Sequence, residues 1–140
     1  MNSGPIVLVD DDVEDKEILQ QILTDLNVHN PLLWLDNCAD SMQYLRTTQK
    51  QAFLIICDIN LPKQNGIDFK KDLDNDPVLR KKSIPFVFCS TSVSEETVNR
   101  AYMEMTVQGF FQKCFSYEEF RKNMKTIIDY WMICTHPNVV

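Results

Sequence analysis

Five short runs of almost unbroken apolarity punctuate this chain: IVLV (6 to 9), LLWL (32 to 35), FLIIC (53 to 57), FVFC (86 to 89) and GFFQ (109 to 112). Runs of four or five residues are too short for helices. With little polar alternation they predict strands buried on both faces, as parallel strands under a cover of helices are. Between them the apolar spacing changes to the helical period. Ile18, Leu19, Ile22, Leu23 and Leu26 share one face, as do Val98, Ala101, Tyr102 and Met105, and later Phe120, Met124, Ile127, Ile128 and Trp131. Shorter helices are predicted over 39 to 48 and 66 to 74. Ser92-x-x-Glu95 and Ser116-x-x-Glu119 match the capping-box spacing and predict the starts of the last two long helices. Strand and helix thus alternate five times, which specifies an α/β fold, a doubly wound parallel sheet with helices on both faces.

At 140 residues the chain is expected to form one domain over 1 to 140, its core over about 5 to 131 and a fraying tail over 132 to 140. The charged stretch DLDNDPVLRKKSIP (72 to 85), with Pro77 and Pro85 inside it, reads as the most loop-like segment. A net charge of −6 argues against direct DNA binding, which draws its affinity from Lys and Arg on phosphates. Five cysteines, Cys38, Cys57, Cys89, Cys114 and Cys134, form no C-x-x-C pair and read as free thiols packed as small hydrophobes. No segment approaches the roughly 18 apolar residues of a membrane span, so no membrane partner and a cytoplasmic location are expected.

The residues that follow the strands carry the chemistry. Asp10, Asp11 and Asp12 come after IVLV, Asp58 after FLIIC, Ser90 and Thr91 after FVFC, and Lys113 after GFFQ. In an open α/β sheet ligands bind beyond the carboxyl ends of the strands, so these side chains are predicted to converge on one edge. Crowded carboxylates repel unless a cation holds them, and an oxygen-only set suits Mg²⁺, which keeps several waters and shares a phosphate. Lys113 and a hydroxyl would then complete a phosphoryl cradle, with Asp58 as nucleophile. Asp12 is assigned the structural task of capping the following helix. His29 and His136 receive no function.

VDDD (9 to 12), CDINLPKQNG (57 to 66), CSTS (89 to 92) and QKCF (112 to 115), in this order, resemble the receiver domain of two-component response regulators over about residues 5 to 131. STS before a helix, GFFQK, and YW at 130 to 131 resemble in particular the stand-alone receivers that serve bacterial phytochrome-type kinases. The resemblance implies a flavodoxin-like (βα)5 fold with strand order 2-1-3-4-5. It implies Asp58 as phosphoacceptor and Mg²⁺ held by Asp11, Asp58 and the backbone carbonyl of Asn60, with Asp10 acting through a water or one shell out. Ser90 takes the place of the hydroxyl that moves to the phosphoryl group, Phe110 that of the aromatic whose rotamer follows the switch, and Pro62 and Gly66 shape the loop. The implied partners are a sensor histidine kinase or phosphotransfer protein and a downstream effector, with a second copy as a further partner through the last helices and strand.

The expected function is signalling rather than enzymatic turnover. The alternative is a degenerate receiver that binds proteins without phosphorylation. A small aspartyl-phosphate phosphatase is less favoured, because position 60 is Asn where a second acid would stand. A flavin module on the same fold lacks a phosphate-nesting loop. Two positions depart from the family pattern. Cys114 stands where proline usually follows the lysine, so a trans Lys113-Cys114 bond is expected. Phe110 lacks the hydroxyl of the frequent tyrosine.

Overall fold

The computed structural model describes residues 3 to 91, 94 to 113 and 116 to 137. Its elements run β1 (Ile6–Val9), α1 (Val13–Asp25), β2 (Leu32–Leu35), α2 (Cys38–Thr47), β3 (Leu54–Cys57), α3 (Gly66–Asn75), α4 (Pro77–Lys82), β4 (Phe86–Ser90), α5 (Glu95–Glu104), β5 (Gly109–Gln112) and α6 (Tyr117–Ile133). The five strands pair in the order β2-β1-β3-β4-β5, and every pairing is parallel. This is the doubly wound, flavodoxin-like sheet expected from the sequence.

Period-two alternation splits the core in two. Val7, Val9, Ile55, Cys57, Phe86 and Phe88 face α2 to α5, meeting Leu45, Phe69, Leu73, Leu79 and Ala101. Ile6, Leu8, Leu54, Ile56, Val87 and Cys89 face α1 and α6, meeting Leu19, Ile22, Leu23, Met124, Ile127 and Ile128. Because β1, β3 and β4 are buried on both faces, their runs are continuously apolar, whereas the edge strand β2 is only half-buried. Cys38, Cys57 and Cys89 are buried free thiols, and burial pushes the Cys89 thiol up to about 12. The Lys113-Cys114 bond lies outside the described residues.

Three sequence expectations are corrected. The stretch from 72 to 85 is largely helical: α3 reaches Asn75 and α4 follows at once. Asp76 caps α4 by accepting from the N–H groups of Val78 and Leu79 at 2.9 and 3.2 Å, Pro77 opens the first turn, and Arg80, Lys81 and Lys82 close the last. Only Leu79 is buried in it, too little apolar periodicity to read. The cap of α5 is Ser94, whose Oγ accepts from Thr97 N–H at 3.1 Å, rather than Ser92, which lies outside the described residues. Ser116 does cap α6, accepting from Glu119 N–H. The tail does not fray over its described part. His136 is 4% exposed, with Nε2 2.9 Å from the Phe53 carbonyl and its ring stacked on Phe53.

Candidate phosphoryl and metal site

The ladder geometry assembles the site. Val9 is paired with Cys57, and the ladder continues one step as Asp58 N–H donates to the Val9 carbonyl at 2.9 Å. Asp10 and Asp58 therefore leave adjacent strands side by side. Both are buried, at 1% and 8% exposure, where an unneutralised carboxylate is expensive.

Asp10 Oδ1 accepts from Asp12 N–H at 3.0 Å, and the Asp10 carbonyl accepts from the Trp34 indole at 2.6 Å. Asp58 Oδ1 accepts from the N–H groups of Ile59 and Asn60 at 2.7 and 3.3 Å. Each acid thus has one oxygen fixed by backbone and the other presented to the cleft. The loop after Asp58 is held tightly: Gly66 N–H donates to the Ile59 carbonyl at 2.8 Å, and Lys63 adopts φ 69°. A Cβ on Gly66 would fall 2.2 Å from the Asp58 carbonyl oxygen, so only glycine allows α3 to start against the site.

Lys113, beyond β5, reaches across the sheet edge. Its Nζ lies 2.9 Å from Asp10 Oδ2, 3.2 Å from Asp58 Oδ2 and 2.6 Å from Asp15 Oδ2. Burial works against the ammonium, but the bonds to Asp15 and Asp10 and the surrounding negative charge outweigh it and raise its pKa. Burial pushes the Asp10 carboxyl the other way, up to about 6, against the opposing pull of Lys113 and the Asp12 N–H.

Carboxylate oxygens of Asp10, Asp11 and Asp58 all lie within 4.8 Å of one another, with Asp11 exposed and the other two buried. Three hard oxygen donors open to solvent on one side fit a divalent cation. Ser90 ends β4 with no exposure, and its Oγ has no hydrogen-bond partner. Thr91 is exposed.

The structure thus brings Asp10, Asp11, Asp58 and Lys113 together, with the Asn60 N–H on Asp58 and Ser90 at the end of the neighbouring strand. Phe110 is half-buried in the α2-to-α5 core, 5.5 Å from Phe88, and takes no part in the ion pairs. Asp12 caps α1 by accepting from Glu14 N–H at 2.9 Å, the structural task assigned to it. Asp15 was missed. An acid in a first helical turn reads as a partner of the helix dipole, and its only sequence signal is its place one turn beyond Asp11.

Known proteins carry this architecture. The chain is 26% identical over 132 residues to response regulator Rcp1 of Synechocystis sp., covering 91% of this chain and 88% of that protein. The crystal structure of the phosphorylated cyanobacterial phytochrome response regulator RcpA superimposes with a TM-score of 0.83 at 26% identity, over 97% of this chain and 99% of that one. The Mn²⁺-bound form of Rcp1 superimposes at 0.82 and 26% identity, over 96% and 99%. Among the described residues no helix is long and apolar enough to cross a membrane. With the sequence model of the response regulator receiver domain matching residues 6–125, the chain belongs to that family of two-component signalling domains.

Proposed function

We propose that Asp58 accepts a phosphoryl group from a phosphohistidine of a sensor kinase or phosphotransfer protein, with Mg²⁺ at the acidic cluster, and that the protein then signals to a separate partner. The reading rests on one observation above others: a half-buried lysine spans two buried strand-end carboxylates, Asp10 and Asp58, beside a third at Asp11. The unpartnered Ser90 hydroxyl is the expected condition of a donor that waits for a ligand. The phosphorylated and Mn²⁺-bound states named for the two similar regulators agree with it.

Asp10, Asp11 and Asp58 would hold the cation, joined by the Asn60 carbonyl, and the bound cation would offset the charge of the phosphoryl oxygens. Asp58 keeps its backbone-bonded oxygen fixed, which orients the carboxylate. A carboxylate oxygen attacks phosphorus, an O–P bond forms as the P–N bond to the donor imidazole breaks, and the imidazole nitrogen leaves with that electron pair. Lys113 supplies positive charge on the incoming oxygens and Ser90 a hydrogen bond. The new charge draws Ser90 inward and repacks Phe110 with β5, α5 and α6, whose exposed Tyr102, Met103, Tyr130 and Ile133 form the face for an effector or a second copy. Asp58 is then an acceptor consumed in signalling rather than a turnover catalyst, since Asn60 offers no second acid.

Intact mass after incubation with a small phosphodonor tests this. The expected result is a Mg²⁺-dependent gain of one phosphoryl group that is absent in Asp58→Asn. No gain from either a small donor or a phosphorylated kinase would leave a phosphorylation-independent binding module.

A further inference from the structure

The ammonium of Lys113 has three protons, and all three are committed, to Asp10, Asp58 and Asp15. Two of these acceptors, Asp10 and Asp58, belong to the group that could hold a cation, while Asp15 does not. The shortest of the three contacts is the one to Asp15, at 2.6 Å against 2.9 and 3.2 Å. Asp15 sits in the first turn of α1 with its side chain 22% exposed, and the Lys113 side chain is 10% exposed, so the pair is shielded from solvent without being sealed off.

We infer that Asp15 is a positioning residue that holds Lys113 when Asp10 and Asp58 are given over to a divalent cation, and so tunes both cation affinity and the charge Lys113 offers to a phosphoryl group. The inference rests on the phosphoryl-acceptor reading above and deepens it. A lysine bonded only to Asp10 and Asp58 competes for the same oxygens as the cation. With Asp15 as a third acceptor, Lys113 can loosen both contacts and keep a charged partner. Asp15→Asn preserves the shape and one acceptor oxygen but removes the charge, so Lys113 then leans on Asp10 and Asp58 and guards them against the cation. A remote negative charge would also favour a cation, and that direct influence has to be separated from one exerted through Lys113.

A double-mutant cycle separates them. Mg²⁺ is titrated into the wild type, Asp15→Asn, Lys113→Met and the double variant, following intrinsic fluorescence, with Trp34 bonded to the Asp10 carbonyl as reporter. Thermal melts in metal-free buffer check that each variant is folded. Asp15→Asn is expected to weaken Mg²⁺ binding by about tenfold when Lys113 is present and by less than about twofold in the Lys113→Met background. Asp15→Glu, which restores the charge on a longer arm, is expected to recover part of the loss. Equal losses in both backgrounds, or tighter binding in Asp15→Asn, would overturn the positioning role. A wild type that takes up the phosphoryl group yet shows no coupling sinks this inference alone. One that neither binds Mg²⁺ nor is phosphorylated sinks both.

Discussion

Two lysines held by aspartates, the buried Lys70 and the half-buried Lys113, are treated in opposite ways. Lys70, on α3, bonds Asp74 Oδ1 at 2.8 Å and Thr106 Oγ1 at 3.1 Å and lies over the Phe86 ring at 4.8 Å. Asp74 in turn accepts from Thr106 N–H and Oγ1 at 2.9 and 2.8 Å, so the cluster ties α3 to the turn between α5 and β5 with its charges nearly balanced. Lys113 faces three carboxylates, with Asp11 near by as a fourth. Desolvation lowers the pKa of Lys70, while surrounding negative charge raises that of Lys113. Similar parts, a lysine and its aspartate partners, therefore make a closed clamp at one place and an excess of negative charge at the other. An excess of buried carboxylate has no structural advantage, and it fits the edge proposed above to hold a cation.

The largest effect should come from breaking the balanced cluster. Asp74→Asn leaves a buried ammonium without its counter-charge, and Arg80, 3.8 Å from Asp74, is itself a cation. Loss of one member of a buried pair costs about 3 kcal/mol, or a fall in Tm of roughly 10 °C at this size. Thermal unfolding measures it, and a change under about 1 kcal/mol would show that the clamp is not structural. At the other lysine the sign reverses. Asp58→Asn keeps an oxygen to accept from Ile59 and Asn60 but removes one of the crowded charges, so metal-free protein should gain about 1 kcal/mol. Mg²⁺ should then stabilise the wild type and not this variant, because only the wild type has the full donor set. If Asp58→Asn destabilises the metal-free protein, the carboxylate excess is not a strain and the contrast between the lysines fails.

How far these regions could be read in advance follows from the kind of signal each leaves. Strands covered on both faces leave continuous apolar runs, and whatever follows them must sit at one edge, so Asp10, Asp58, Ser90 and Lys113 were legible together. The Lys70 clamp was not. A lysine in a charged helix reads as solvated, and only packing against Phe86 and Thr106 reveals it as 5% exposed. Asp15 failed similarly, since its partner lies 98 residues away. The α4 helix depends on its Asp76 cap and Pro77 more than on an apolar stripe. The buried His136 depends on Phe53, a contact across 83 positions that no local pattern announces.

The same contrast can also be sharpened through pH. At Asp74 burial favours protonation, but the bonds from Lys70 and Thr106 outweigh it and hold the carboxyl below its ordinary 3.8. The unfolded state then binds the proton more tightly, so this group's stabilisation is complete above 3.8 and is lost as pH falls through the lower folded value. At Asp10 the folded value is raised to about 6 from 3.8, mainly by burial. Here the folded state holds the proton more tightly, and in metal-free buffer stability falls as pH rises from about 4 to about 6. Each slope is at most about 1.4 kcal/mol per pH unit, readable as a difference between variant and wild type in denaturant midpoints at fixed pH. Asp10→Asn should flatten the fall between about pH 4 and 6, and Asp74→Asn should flatten the loss below 3.8. If the two variants shift stability with the same sign of slope, the two lysine clusters are electrostatically alike and the distinction between clamp and site falls.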